Sequence, residues 1–219
     1  MIEIKNLKKN YGKNVIYNDF SLSINQNEKL AILGESGSGK TTLFNVIAGL
    51  TDYSGEIIGA SKPISMVFQK DMLVKNLTVK ENIELINKNV DVKEILALVK
   101  LEGRENEFIK NLSGGQARRV AIARAICFDA ELYLLDEPFI NLDLALKFSL
   151  IELIKKQKED KTVVLITHDI KEAVAFADRI LLIQNGKVVF EQKNVNLIRE
   201  SEEKSLLLEK ELFDKMINI

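Results

Sequence analysis

The chain has 219 residues, 46% hydrophobic and 29% charged, which suits one globular unit with an ample core and room for a smaller lobe, and makes disorder the exception rather than the default. Its 31 Lys and Arg against 32 Asp and Glu leave no net basic field to hold nucleic acid through counterion release. The single cysteine, Cys127, excludes an internal disulfide and reads as a buried free thiol in a reducing compartment.

From the N-terminus, Ile2, Ile4 and Leu7, then Val15, Ile16, Phe20, Leu22 and Ile24, predict short alternating strands broken at residues 11–14 and turned at 25–28. Tyr11 beside the break offers a ring for stacking on a base or for ordinary packing. Residues 1–6 carry charges where a signal peptide needs an apolar core, and no run approaches the ~18 apolar residues of a membrane span. Any membrane role is therefore expected to come through a partner.

Leu30, Ala31, Ile32 and Leu33 read as a strand and residues 43–48 as a helix. Between them stand Gly34, Glu35, Ser36, Gly37, Ser38, Gly39, Lys40, Thr41 and Thr42. This is the G-x-x-x-x-G-K-[ST] spacing in its strand-to-helix context. Glycines let successive N–H groups curl around a phosphate at a helix N-terminus, where the dipole favours an anion. Lys40 would reach the outer phosphates and Thr41 would offer a hydroxyl to Mg²⁺.

Gly49 and Gly55 bracket a turn region, and Ile57, Ile58 and residues 64–68 suggest strands that end at Gln69. Thr78 with Glu81, and Asp91 with Glu94, are helix-start signals ahead of apolar residues, so residues 71–112 read as a small inserted helical lobe. Next comes Leu112-Ser113-Gly114-Gly115-Gln116, opening a helix whose apolar face is Val120, Ile122, Ala123 and Ile126. This is a second phosphate-capable helix start or an ordinary N-cap; the residues leave both open.

The run Leu132-Tyr133-Leu134-Leu135 predicts a strand buried on both faces, with Asp136 and Glu137 at its C-terminal end, where ligands of parallel sheets bind. There Asp136 can hold Mg²⁺ and Glu137 can orient or deprotonate a water. Asp143 precedes an amphipathic helix over residues 144–158. Residues 162–166 form another buried strand, ending at His168, the only histidine. Asn185-Gly186 marks a type I′ hairpin between residues 180–183 and 188–190. Residues 195–219 read as one or two amphipathic helices whose Leu206, Leu207, Leu208, Leu212, Phe213 and Met216 form an apolar stripe, for core packing in the favoured reading and for a partner in the other.

With the phosphate loop, Gln69, the Leu-Ser-Gly-Gly-Gln run, the Asp136-Glu137 pair and His168 in this order, the chain resembles the ATP-binding subunit of an ABC transporter over nearly its whole length. The most specific part is Leu112-Ser113-Gly114-Gly115-Gln116 with the Arg118-Arg119-Val120-Ala121 that follows. The resemblance implies an α/β phosphate-loop ATPase fold with a mixed sheet, an N-terminal antiparallel β subdomain and an inserted helical subdomain. Residues 1–219 would be one ATPase domain, with 1–70 and 128–219 as the nucleotide-binding core and about 71–127 as the helical part carrying the signature.

The same resemblance implies ATP and Mg²⁺ as cofactors and assigns roles. Tyr11 stacks on the base and residues 34–42 are the Walker A loop. Gln69 senses Mg²⁺ and water and links to the membrane partner. Asp136 is the magnesium ligand, Glu137 the catalytic carboxylate and His168 the switch histidine on the γ-phosphate. Asp143 belongs to the D-loop. Ser113, Gly114, Gly115 and Gln116 complete the ATP site of another subunit, which implies a head-to-tail homodimer or paired ATPase. A transmembrane permease partner, a solute-binding protein acting through it, and a cytoplasmic position on the inner face of the membrane follow, with no nucleic-acid partner.

Residues 71–79 resemble the corresponding stretch of nitrate, sulfonate and taurine importers but lack their usual proline and tryptophan. Import of a small solute such as an organic or inorganic anion is the favoured expectation. The rival is an ABC ATPase that remodels membrane proteins or releases lipoproteins. Chromosome-maintenance ATPases place long coiled coils where this chain has a small lobe, and translation-associated ABC proteins normally carry two ATPase units.

Overall fold

The computed structural model describes residues 1–60 and 63–217. The N-terminal alternation gives strands longer than expected: β1 (Ile2–Tyr11) and β2 (Asn14–Ile24) pair antiparallel about Gly12-Lys13, with Tyr11 opposite Asn14 on the last rung. Register shifts between Ile4 and Leu7 and on either side of Lys9 absorb the irregular apolar spacing without ending the strand. β3 (Lys29–Leu33) leaves for a second sheet, and β4 (Ser54–Ile58) covers the other edge of β1, giving the order β2-β1-β4. Gly55, expected beside a turn, lies inside β4. Its φ of 110° brings it so close to β1 that a Cβ would stand 2.6 Å from the carbonyl oxygens of Lys5 and Asn6.

β5 (Ile64–Val67), β6 (Leu132–Asp136), β7 (Thr162–Ile166), β8 (Arg179–Gln184) and β9 (Lys187–Gln192) join β3 in the order β5-β6-β7-β3-β8-β9. All neighbours are parallel except β9, which returns antiparallel to β8. The turn between them has positive φ at both Asn185 and Gly186, as type I′ requires. Because both faces of the parallel strands are covered, successive side chains feed two separate cores. Leu30 and Ile32 of β3, with Leu132 and Leu134 of β6, join the core under the N-terminal sheet and α1 (Lys40–Ile47). Ala31, Leu33, Tyr133 and Leu135 join the core under the remaining helices.

Those helices are α2 (Val79–Glu84), α3 (Val92–Leu98), α4 (Gly114–Cys127), α5 (Leu144–Gln157), α6 (Ile170–Phe176), α7 (Val195–Arg199) and α8 (Glu202–Ile217), with a 3-10 turn at Ile109–Asn111. The four apolar residues named for α4 are all buried. Cys127 is half-buried rather than buried, and its surroundings push the thiol up to about 11. The C-terminal expectation needs correction: of its six apolar residues only Leu208 and Leu212 are buried, while Leu206, Leu207 and Phe213 are exposed. Three consecutive leucines span about 200° of a helix, and α8 docks through one narrow stripe at i, i+4 spacing.

Candidate active site

Four neighbouring parallel strands end on the same edge of the sheet, and each delivers part of one cleft. In register, Ile32 of β3 lies opposite Ile166 of β7, Ile166 opposite Asp136 of β6, and Leu135 opposite Val67 of β5. One or two residues further on, the chain therefore brings Gly34, His168, Glu137 and Gln69 to one edge. A cleft of about 340 Å³ there is lined by Ser36, Gly37, Gly39, Lys40, Thr41, Thr42, Gln69, Asp136 and Glu137, with Asn14, Ile16 and Ile166.

Glycine is required where the loop is tightest. At Gly39, φ is 100° and a Cβ would meet Ile16 Cγ2 at 2.8 Å and the Tyr17 hydroxyl at 2.9 Å. Gly39 is also the N-cap of α1 without a side chain to bond the first-turn N–H groups, which leaves those donors for a ligand. Lys40 is buried. Its Nζ donates to the carbonyls of Gly34 (2.8 Å) and Glu35 (2.6 Å) and to Ser38 Oγ (3.3 Å). Burial lowers its pKa against the opposing pull of Glu137, Asp136 and Glu35.

Thr41 Oγ1 donates to Asp136 Oδ2 at 2.7 Å, while the buried Oδ1 of the same carboxylate has no hydrogen-bond partner. Burial raises the Asp136 pKa, and the hydrogen bond from Thr41 works in the other direction. A hydroxyl and an unsatisfied carboxylate oxygen side by side are hard oxygen donors of the kind Mg²⁺ takes. The residues present thus fit a magnesium ion, and a cation at Asp136 with an anion at Lys40 would relieve both desolvation penalties.

Glu137 holds a left-handed φ of 50°, rare for a non-glycine residue. Its N–H donates to the Ile166 carbonyl at 2.9 Å, and its Oε2 lies 2.6 Å from Nδ1 of the exposed His168. The base candidate and the histidine are therefore one unit. Gln69 is exposed on the cleft wall.

The remaining expected residues lie outside this cleft. Tyr11 is half-exposed at the end of its hairpin. Ser113 and Gln116 form a reciprocal capping box, with Ser113 N–H donating to Gln116 Oε1 (2.8 Å) and Gln116 N–H to Ser113 Oγ (3.3 Å). Gly115 packs toward Asn141 and Leu142, and Asp143 caps α5 by accepting from Leu146 N–H at 2.9 Å.

Arg118, named in the sequence only as part of the run after the signature and given no role there, is the largest fully buried side chain among the described residues. It donates to the carbonyls of Pro138 (3.0 Å), Asp136 (2.9 Å), Glu137 and Phe68 (2.6 Å), and pairs with Asp71 at 2.8 Å. It thus clamps the end of β6 to the residues flanking Gln69. The sequence signal available was an arginine at a helix position otherwise facing the core.

The pattern of the ABC transporter family matches residues 17–140. The chain is 39% identical over 201 residues to the aliphatic sulfonates import ATP-binding protein SsuB 2 of Paraburkholderia xenovorans, covering 88% of this chain and 81% of that protein. It is 37% identical over 218 residues to the thiamine import ATP-binding protein ThiQ of Haemophilus influenzae, covering 84% of this chain and 99% of that one. Among solved structures, a dimeric ATP-binding cassette in a post-hydrolysis state bound to ADP and Pi superimposes with a TM-score of 0.80 at 32% identity, over 88% of this chain and 98% of that chain. With the phosphate loop and the Asp136-Glu137-His168 edge in place, the chain belongs to the ABC transporter family, among its ATP-binding subunits.

Proposed function

We propose that this chain is the Mg²⁺-dependent ATPase that powers import of a small solute, such as an organic or inorganic anion, through a membrane permease. The observation that carries the chemistry is Glu137 in one cleft with Lys40, Thr41 and Asp136, its carboxylate paired with His168 beside that cleft. The importer reading is supported by relatives whose names give aliphatic sulfonates and thiamine as import substrates. An apolar groove lined by Met66, Phe68, Met72, Leu73, Ala121 and Phe128, next to Gln69, supports a permease contact. No helix among the described residues is long and apolar enough to cross a membrane, so membrane work calls for such a partner.

In this reading the first-turn N–H groups of α1 and the Lys40 ammonium bind the triphosphate, and Tyr11 stacks on the base. Thr41, Asp136 and Gln69 would hold Mg²⁺, which supplies neutralisation of phosphate charge. Glu137 orients a water and takes its proton. His168 fixes that carboxylate through Nδ1 and supports charge on the transferred group. Residues 113–116 serve the ATP of a partner subunit, with Asp143 at the same boundary. The domain division follows: residues 71–127 as the helical part and the rest as the nucleotide core, seated at the cytoplasmic face by the permease.

Glu137→Gln should bind ATP and hydrolyse it at least ~100-fold more slowly, the low end for loss of a placed base. Near-wild-type turnover removes Glu137 from the chemistry. Gentle detergent extraction and capture of this subunit tests the rest. A polytopic partner with a solute-binding protein fits import, whereas a partner with a large extracytoplasmic domain and no solute-binding protein fits remodelling.

A further inference from the structure

Lys9 precedes Tyr11 by two residues, so the two side chains stand on the same side of β1. The Lys9 ammonium lies over the Tyr11 ring, 4.6 Å from its centroid. Although the residue is only 5% exposed, its Nζ donates 2.8 Å bonds to Thr51 Oγ1 and Asp52 Oδ1. Both acceptors lie just beyond the C-terminal end of α1, the helix whose first residue is Lys40. The Asp52 carboxylate is held below its ordinary range chiefly by the hydrogen bond from Lys9. Tyr11 itself remains 49% exposed.

We infer that Lys9 is a positioning residue for base recognition, fixing the Tyr11 ring relative to the phosphate loop so that its uncovered face receives the base of the bound nucleotide. This rests on the reading of Tyr11 as the stacking ring. The chain of contacts is continuous: ring, ammonium, Thr51 and Asp52, then α1 and its loop. A ring ordered before the ligand arrives loses less freedom on binding than a free half-exposed tyrosine. Because the ammonium occupies one face, the base has one place to stack, at a fixed distance from the phosphates. A lysine that only stapled the hairpin to the turn after α1 would affect folding and would treat ligands with and without a base alike.

The experiment measures binding of MgADP and of magnesium pyrophosphate by calorimetry in wild type, Tyr11→Ala, Lys9→Met and the double variant. Each single substitution should weaken MgADP roughly three- to tenfold, the size of a stacking or cation–π term, and leave pyrophosphate unchanged. The double variant should bind MgADP no more weakly than Tyr11→Ala, because Lys9 acts through the ring. Asp52→Ala, at a nearly fully exposed side chain, removes one of the ammonium's two anchors without touching the buried stem and should show a base-dependent loss no larger than that of Lys9→Met. If Tyr11→Ala weakens MgADP while Lys9→Met and Asp52→Ala do not, or weaken pyrophosphate equally, the inference is overturned and the Tyr11 reading stands. If Tyr11→Ala leaves MgADP binding unchanged, both fall.

Discussion

At the scale of single residues, Arg118 holds more of the candidate site's edge together than any side chain to which the sequence assigned a role. Its guanidinium fork meets carbonyls on consecutive residues, Asp136, Glu137 and Pro138, which a lysine's point charge cannot span. Arg118→Met should therefore destabilise the fold by about 3–5 kcal/mol, as expected for leaving a buried network unpaired. Arg118→Lys should recover only part of that loss in urea denaturation. A methionine variant within about 1 kcal/mol of wild type would mean that the carbonyls find other donors. That Gly34, Gln69, Glu137 and His168 meet at one edge was legible in the sequence, because each stands one or two positions beyond the end of an apolar parallel strand. The left-handed turn at Glu137 was not, since nothing in a Glu-Pro pair signals positive φ. Arg118 was hidden for a similar reason: charge in a sequence suggests exposure, and only the fold shows four carbonyls converging on it.

Elements were most legible where a local bond announces them. The Thr78–Glu81 capping box forms at α2, with Glu81 Oε2 accepting from the Thr78 N–H at 2.7 Å, and Asp91 caps α3 by accepting from the N–H groups of Lys93 and Glu94. The segment ahead of α2 gave no such signal, yet one side chain of the helix ties it down at Val74. Asn82, wholly buried on α2, accepts from Val74 N–H at 2.9 Å and donates to the carbonyls of Val74 (3.1 Å) and Thr78 (2.9 Å). It pairs with Val74 as a neighbouring strand would, and so holds the exposed Val74 in place, while Arg124 donates to the Met72 carbonyl at 2.8 Å. Asn82→Ala should cost about 1–3 kcal/mol locally and speed amide exchange over residues 72–78, while β3 and β7 keep their protection. Unchanged exchange at Val74 would sink that account. The opposite failure is α8, where sequence pattern alone cannot say which turn of an amphipathic helix meets the protein.

At the scale of the whole molecule, the chain carries two helix starts suited to anions but only one lies in its cleft. The start of α4 points elsewhere: Ser113 and Gly114 are exposed, and a Cβ added at Gly114 would meet nothing within 4 Å. The dipole of a 14-residue helix thus ends at a glycine that the fold itself does not need. An open glycine at a charged helix end fits a close approach by another molecule, and the superimposable cassette bound to ADP and Pi is a dimer. Gly114→Glu separates the two demands. The side chain has room in the single chain, so stability should stay within about 0.5 kcal/mol of wild type and MgADP should still bind. In the Glu137→Gln background, where ATP is retained, sedimentation should show an ATP-dependent dimer, and adding Gly114→Glu should abolish it by setting a carboxylate against the partner's triphosphate. A dimer that survives this substitution would place the α4 start outside the shared nucleotide site and leave its open glycine to be explained by some other contact.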